Sequence, residues 1–431
     1  MTRLLMTLAL MGVSASAPAS EANNSRAHSV NPVVTWNRIL LSIVRTPGTQ
    51  PSTIHPTRSF AVLHAAIYDA VNAIDRTHAP YMVRVPAPPH RASQEAAATA
   101  AAHDVLLALY PALKSTLDAE LQQSQDDSGA ADSAEGMRIG RAVAAQILAV
   151  RSHDGSSVQP GAHVFGTAPG EYQSTPPNFP APQFTHWRFV TPFALERASQ
   201  FHLAPPPPLT SARYANAFNE VESVGIANSA TATADEALTG LFWNGPIQNY
   251  WNEIAQTAAV SQQLSTAESA RLFALLNLSV ADGVIAFYDA KYTYNFWRPV
   301  TAIQAADSDE NPDTLADPNW LPQSGKTAAD PSYPGAHAVI SAAAANVLAS
   351  VMKRDRFEFD VTSETSPGVV RSFPSFSSAA EEASLSRIFA GQHFRFDQTA
   401  GQRLGREIAD FIVDRFLTPI HSAPAAHSHM H

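Results

Sequence analysis

The sequence predicts an all-α fold built as two packed helical bundles, with the chemistry in the C-terminal one. Three observations carry this expectation. Alanine-rich runs such as residues 95–102 have the highest intrinsic helix propensity. Long windows repeat apolar residues at helical spacing, and stretches of alternating β-branched residues are few. A chain of 431 residues, 45% of them hydrophobic, supplies core enough for one large domain or two packed ones.

Residues 1–19 have the form of a signal peptide. Arg3 is followed by the apolar run 4–13 and by the small residues Ala15, Ala17 and Ala19, which places cleavage just before Ser20. The apolar run is too short for a permanent anchor, so export to the periplasm or the medium is expected. An N-terminal helical domain follows over residues 30–209, with helices expected at 33–45, 58–74, 93–110 and 131–152, the last closed by the turn His153-Asp154-Gly155. Residues 161–209 are rich in proline and aromatics and end in four consecutive prolines, 205–208. Proline lacks the N–H that helices and sheets require, so this stretch is expected to wrap the surface as an extended connector.

A second domain is expected over residues 210–418. Its helices begin near Ser211 and continue at 235–243, 250–262 and 266–294. A loop at 305–333, rich in Asp, Asn and Pro, leads to helices at 336–352, 377–390 and 394–416. Residues 419–431 carry His421, His427, His429 and His431 and read as a flexible tail, lacking apolar residues to anchor it. No window after the signal peptide reads as a membrane span.

The chain has no cysteine, which rules out disulfides, thiolate metal sites and cysteine nucleophiles, so any cofactor binds through nitrogen or oxygen. A formal charge of −10 argues against nucleic acid as a partner. Positive charge that matters must be local, and three stretches of the second domain concentrate it.

The first runs from Lys291 to Arg298-Pro299. A seven-residue spacing puts both cations on one face of a helix, and Pro299 disfavours helical geometry at Arg298, so the arginine is expected where the helix ends. The second is Pro334-Gly335-Ala336-His337, at the start of an apolar helix. Free N–H groups and the positive end of the helix dipole face an anion there, Gly335 permits close backbone approach, and His337 lies in the first turn. The third holds Arg387, His393 and Asp397. Four residues separate His393 from Asp397, so the carboxylate can bond one ring nitrogen and leave the other free, while Gly391 supplies a break that brings Arg387 to the same centre. Each stretch alone also reads as something ordinary: solvated cations flanking the aromatic residues Tyr294, Phe296 and Trp297, a Pro-Gly turn, a surface ion pair. Together, three cations and two histidines make a grip for a tetrahedral oxyanion.

The order Lys-x6-Arg-Pro, Pro-x-x-His, Ser-Arg-x5-His-x3-Asp resembles the signature shared by vanadium-dependent haloperoxidases and type 2 phosphatidic acid phosphatases. The flanks, residues 296–299 and 387–397, resemble the haloperoxidase versions. Trp36-Asn37 and residues 64–72 and 250–255 are similar to bacterial haloperoxidases, so the likeness spans nearly the whole mature chain. The resemblance implies vanadate as cofactor, with His393 as its axial ligand, or as the phosphoryl nucleophile in a phosphatase. It implies that Lys291, Arg298 and Arg387 balance oxyanion charge beside the backbone of Gly335 and Ala336, that His337 moves protons, and that Asp397 orients His393. The implied reaction is oxidation of halide by hydrogen peroxide to hypohalous acid, which acts on an organic acceptor. The alternatives are a secreted acid phosphatase that cleaves a phosphate ester through a phosphohistidine, and a non-catalytic oxyanion-binding member of the fold. The likeness leaves homo-oligomer formation open.

One departure stands out. The family usually has serine and glycine before the second histidine, where this chain has Gly335 and Ala336. A hydroxyl donor to the oxyanion is lost, on the order of 1.5 to 3 kcal/mol for a bond to a charged group. Elsewhere, His64 and Asp69 read as core residues of an apolar helix. Asp282 and Asp289 read as either braces for an active-site arginine or structural salt bridges, and Tyr288, Asp330 and Tyr333 as candidates for the pocket mouth.

Overall fold

The computed structural model describes residues 31–86, 92–123 and 130–420. The expected signal peptide and the four tail histidines lie outside the described residues. Thirteen α-helices and one two-stranded hairpin are found among the described residues. The helices that precede the connector are α1 (Pro32–Arg45), α2 (Pro56–Asp75), α3 (Gln94–Leu109), α4 (Lys114–Gln123) and α5 (Ala130–Arg151). After it come α6 (Ala212–Val224), α7 (Ala234–Phe242), α8 (Ile247–Ser261), α9 (Thr266–Tyr294), α10 (Pro299–Gln304) and α11 (Ala336–Met352). Strands β1 (Arg356–Thr362) and β2 (Val370–Ser375) follow, then α12 (Phe376–Phe389) and α13 (Arg395–Arg415).

Local sequence explains most boundaries. Ser93 caps α3 by accepting from the Ala96 N–H, and Ser265 and Glu268 form a reciprocal capping box at the start of α9. α2 is buried continuously from Thr57 to Asn72 and α9 over most of its 29 residues, so these two helices form the axis of the apolar core. α9 is long and apolar enough to cross a membrane by length and composition, contrary to the expectation from sequence. Here 94% of its most apolar window is buried inside the protein, as a core helix is.

Buried carboxylates pin irregular chain to this axis. Asp69 on α2 accepts from the N–H groups of Tyr81, Met82 and Val83, and Asp282 on α9 from those of Phe193, Ala194 and Leu195. Asp282 is therefore an anchor for the connector and braces no arginine. Asp289 pairs with Arg188 of the connector. His64 is a core histidine, as expected: its Nε2 meets Asn37 at 2.8 Å, its ring stacks on Phe273, and burial lowers its pKa to about 3.

The hairpin, α4 and the short α10 have no counterpart in the helices expected from sequence. The signal for β1 is nonetheless present, since Phe357, Phe359 and Val361 alternate with polar residues and are the buried face of the strand. A further correction bears on the site. Asn295 adopts the left-handed conformation at φ 47° and ends α9 at Tyr294, so Lys291 and Arg298 do not share a helix face. Arg298 sits at the end of a short irregular link, in extended conformation, as the N-cap of α10.

Candidate active site

Five pieces of chain converge on one buried centre: the end of α9, the link to α10, the segment before α11, the turn between α12 and α13, and the loop between α7 and α8. Lys291 is fully buried, and its Nζ donates to Asp330 Oδ1 at 3.1 Å, to Ser332 O at 3.2 Å and to Pro331 O. Burial lowers its pKa to about 8, against the pull of the Asp330 charge. Arg298 is equally buried. Its Nε donates to Asp330 O at 2.8 Å, its Nη2 to the Asp330 carboxylate, and its Nη1 to Gln392 O and His393 Nε2, both at 3.0 Å. Burial pushes the Asp330 carboxyl upward, but the two cations outweigh it and hold the group below its ordinary value. Asp330 is thus an interior counter-ion, where the sequence offered it for the pocket mouth. Tyr288 is buried against His55 and Phe184, and Tyr333 donates to Ala204 O, so these two are packing residues as well.

His393 precedes α13. Its Nδ1 lies 3.0 Å from Asp397 Oδ2, and Asp397 also accepts from Ser332 Oγ and from the Phe394 N–H. Burial raises the Asp397 pKa to about 6, while burial and then Arg298 push His393 well below its ordinary value. At neutral pH the pair is carboxylate and neutral imidazole. Nδ1–H therefore donates to Asp397, and the Nε2 lone pair faces the Arg298 guanidinium. Gly391 makes the turn at φ 73°, and the N–H groups of Gln392 and His393 both donate to Arg387 O. A Cβ at 391 would stand 2.8 Å from Pro322 Cα, so the turn needs glycine on steric grounds too.

Arg387 is 2% exposed and has no carboxylate partner among the described residues. Its Nη2 donates to Asn244 Oδ1 at 3.1 Å and its Nη1 reaches Trp243 O at 3.5 Å. Burial, and then the neighbouring Arg298, press its pKa downward. The same Trp243 carbonyl accepts from His337 Nε2 at 2.9 Å, which assigns that proton to Nε2 and leaves Nδ1 unprotonated. Burial, followed by the Arg387 charge, keeps His337 neutral. His337 lies in the first turn of α11, where the N–H groups of residues 336–338 have no intrahelical acceptor. The preceding residue, Gly335, donates its own N–H to Asp397 O at 3.0 Å.

All eight residues singled out from sequence thus fall in one place. Lys291, Arg298, His393 and Asp397 are joined by direct contacts or through Asp330, His337 and Arg387 share a carbonyl, and Gly335 and Ala336 open the helix between them. Three contributors were not marked in the sequence: Ser332, which braces Asp397, and Trp243 and Asn244. Ser332 stands two residues before Pro334 and could have been found by asking what fixes that turn. The loop 243–245 carries no signal, since it acts largely through carbonyls.

Three buried cations face two carboxylates, leaving one positive charge over, and Arg387 is the unbalanced one. A buried charge is stable when paired, so the centre fits an anion. Vanadate meets that description. Lys291, Arg298 and Arg387 would balance its oxygens, the first turn of α11 would donate N–H groups, and His393 Nε2 would be its nitrogen ligand.

Known proteins resemble this chain in sequence and fold. The family model for the vanadium chloroperoxidase second helical-bundle domain matches residues 271–422. The vanadium chloroperoxidase of Curvularia inaequalis is 25% identical over an alignment 515 positions long, gaps included, which covers 91% of this chain and 83% of that protein. Among solved structures, a bacterial vanadium-dependent iodoperoxidase superposes with a TM-score of 0.75 at 25% identity, covering 92% of this chain and 99% of its own. A bacterial vanadium-dependent chloroperoxidase in holo form, at 14% identity, shares the fold with a TM-score of 0.65, over 86% of this chain and 94% of its own. Residues 271–422 thus belong to the vanadium chloroperoxidase second helical-bundle family, and the chain as a whole is similar to vanadium haloperoxidases.

Proposed function

We propose that this protein is a vanadate-dependent haloperoxidase that oxidises halide with hydrogen peroxide to hypohalous acid, for use on an organic acceptor. The observation that carries the reading is the buried, uncompensated Arg387 beside a neutral His393 whose Nε2 lone pair is free of protons. When bound, vanadate supplies a Lewis-acidic V(V) centre that activates hydrogen peroxide toward halide without changing oxidation state. The protein supplies the rest. Lys291, Arg298 and Arg387 neutralise the oxyanion, Asp397 fixes the His393 tautomer, and His337 takes up on Nδ1 the proton that hydrogen peroxide sheds on binding. His337 would then return that proton as hypohalous acid leaves, with one further proton drawn from solvent and one water released, so that H2O2, X− and H+ give HOX and H2O. The signal-peptide pattern of residues 1–19 supports an exported enzyme, in the periplasm or the medium.

A phosphatase is the second reading, because the same three cations and the unprotonated Nε2 of His393 suit a phosphoryl group as they suit vanadate. His393 Nε2 would attack phosphorus and His337 would protonate the leaving alcohol. A paired assay separates the two. Vanadate-loaded protein is tested for bromide and iodide oxidation with hydrogen peroxide, and vanadate-free protein for hydrolysis of an aryl phosphate. Halide oxidation with little hydrolysis is expected. Brisk hydrolysis without halide oxidation would establish the phosphatase, and tight oxyanion binding with neither turnover a non-catalytic binder.

A further inference from the structure

One buried donor near this centre has no partner. Gln398 follows Asp397 on α13 and is 3% exposed. Its Oε1 accepts from Ser384 Oγ at 3.4 Å, while its Nε2 is buried with no acceptor among the described residues. Buried amide donors are almost always satisfied, so this orphan calls for an explanation, and beside an anion site a bound acceptor supplies one.

Its position says what binds. A Cβ at Gly335 would stand 2.7 Å from Gln398 Oε1 and 2.8 Å from Cδ, and closer still to Nε2. The carboxamide therefore occupies the volume that any side chain at 335 would enter. That volume adjoins the first turn of α11, with its free N–H groups and His337, because Gly335 is the N-cap of that helix. Ser384 lies one turn before Arg387 on α12, so its hydrogen bond ties the amide to the helix that carries the unpaired cation.

We propose that Gln398 is an oxyanion-binding residue, its Nε2–H donating to the bound oxyanion from the space that a side chain at residue 335 would otherwise fill. The inference rests on the oxyanion reading of the site. It explains why residue 335 is glycine here: glycine at 335 and glutamine at 398 form an exchangeable pair, and a serine at 335 cannot coexist with the amide in its present place.

The test is equilibrium binding of vanadate and of inorganic phosphate to the full-length mature protein, read by dialysis and elemental analysis. Gln398→Met removes the donor at similar volume, and Gln398→Glu replaces it with a carboxylate. Both are expected to weaken the two oxyanions about tenfold or more, the Glu variant most, with helical circular dichroism unchanged. Gly335→Ser alone is expected to weaken binding as well, because it displaces the amide. Gly335→Ser combined with Gln398→Ala, which has room for the hydroxyl, is expected to recover affinity to within about threefold of the parent. A packing role alone would shift the thermal midpoint of the Met variant while leaving both dissociation constants within twofold, and that result overturns the proposal. So does a double variant no better than Gln398→Ala. If the parent binds neither oxyanion, the oxyanion reading itself has failed, and this inference with it.

Discussion

Raising the pH from 7 to 9 is expected to weaken oxyanion binding about tenfold, through a single lysine. Burial sets the Lys291 pKa near 8 in the free protein. A bound anion favours the charged form, so only protein with Lys291 protonated binds tightly. For a pKa of about 8 the charged fraction is roughly 0.9 at pH 7 and 0.09 at pH 9, a ratio near ten, or about 1.4 kcal/mol. Burial presses Arg387 downward as well, but the charge delocalised over its guanidinium keeps that group protonated in this range. Titration calorimetry with perchlorate, a tetrahedral monoanion that does not itself titrate in this range and brings no second charge into the centre, isolates the protein's contribution. Lys291→Met is expected to bind more weakly with no slope above pH 8, and Lys291→Arg to bind without the slope. Stability moves the other way. The folded pKa lies below the unfolded value of 10.5, so between about pH 8 and 10.5 the unfolded chain holds a proton that the folded protein has lost. In that window the Lys291 contribution to stability rises, by up to 2.5 pKa units or about 3 kcal/mol. Affinity should therefore decline above pH 8 without a parallel contribution to unfolding from this group. An equal slope in Lys291→Met would refute the reasoning.

Three further outcomes are expected. Asp330→Asn leaves Lys291 and Arg298 without their shared carboxylate and should cost about 3 to 5 kcal/mol by urea denaturation, partly recovered by saturating phosphate; a parental urea midpoint would contradict the counter-ion role. His393→Ala should retain no vanadium after loading and dialysis, and stoichiometric vanadium in that variant would refute the ligand assignment. Asp282→Ala strips the acceptor from three backbone N–H groups of the connector, which should cost about 3 kcal/mol or more and speed proteolysis within residues 161–209. Cleavage at the parental rate would show that the connector is held by other means.

Much of the candidate site was legible because its chemistry lies in side chains whose type and spacing are unusual together. The irregular link before Arg298, the Gly391 turn and the His393–Asp397 pair each follow from a local rule about proline, glycine or helical spacing. What was misread depended on chain reversals that no local rule sets. The end of α9 at Tyr294 was itself expected; the shared face of Lys291 and Arg298 fails because of the left-handed turn at Asn295, one that many asparagines do not make. Asp330 read as a loop carboxylate because burial is a property of the packed chain: its partners lie more than thirty residues upstream. The 243–245 loop was silent because a carbonyl belongs to every residue. β1 was legible in its alternating pattern, yet lost weight beside so much helix.

Asp330 also sets how much charge a ligand can bring. With three cations and two carboxylates fixed in the centre, an incoming monoanion leaves it electrically balanced. A dianion would leave one negative charge buried, and the low-dielectric surroundings make that costly. Ligand capture is therefore coupled to protonation: a doubly charged oxyanion enters with a proton from solvent, lodged on one of its own oxygens or on the unprotonated Nδ1 of His337. The carboxylate that steadies the resting cations thus makes the protein count protons as it binds.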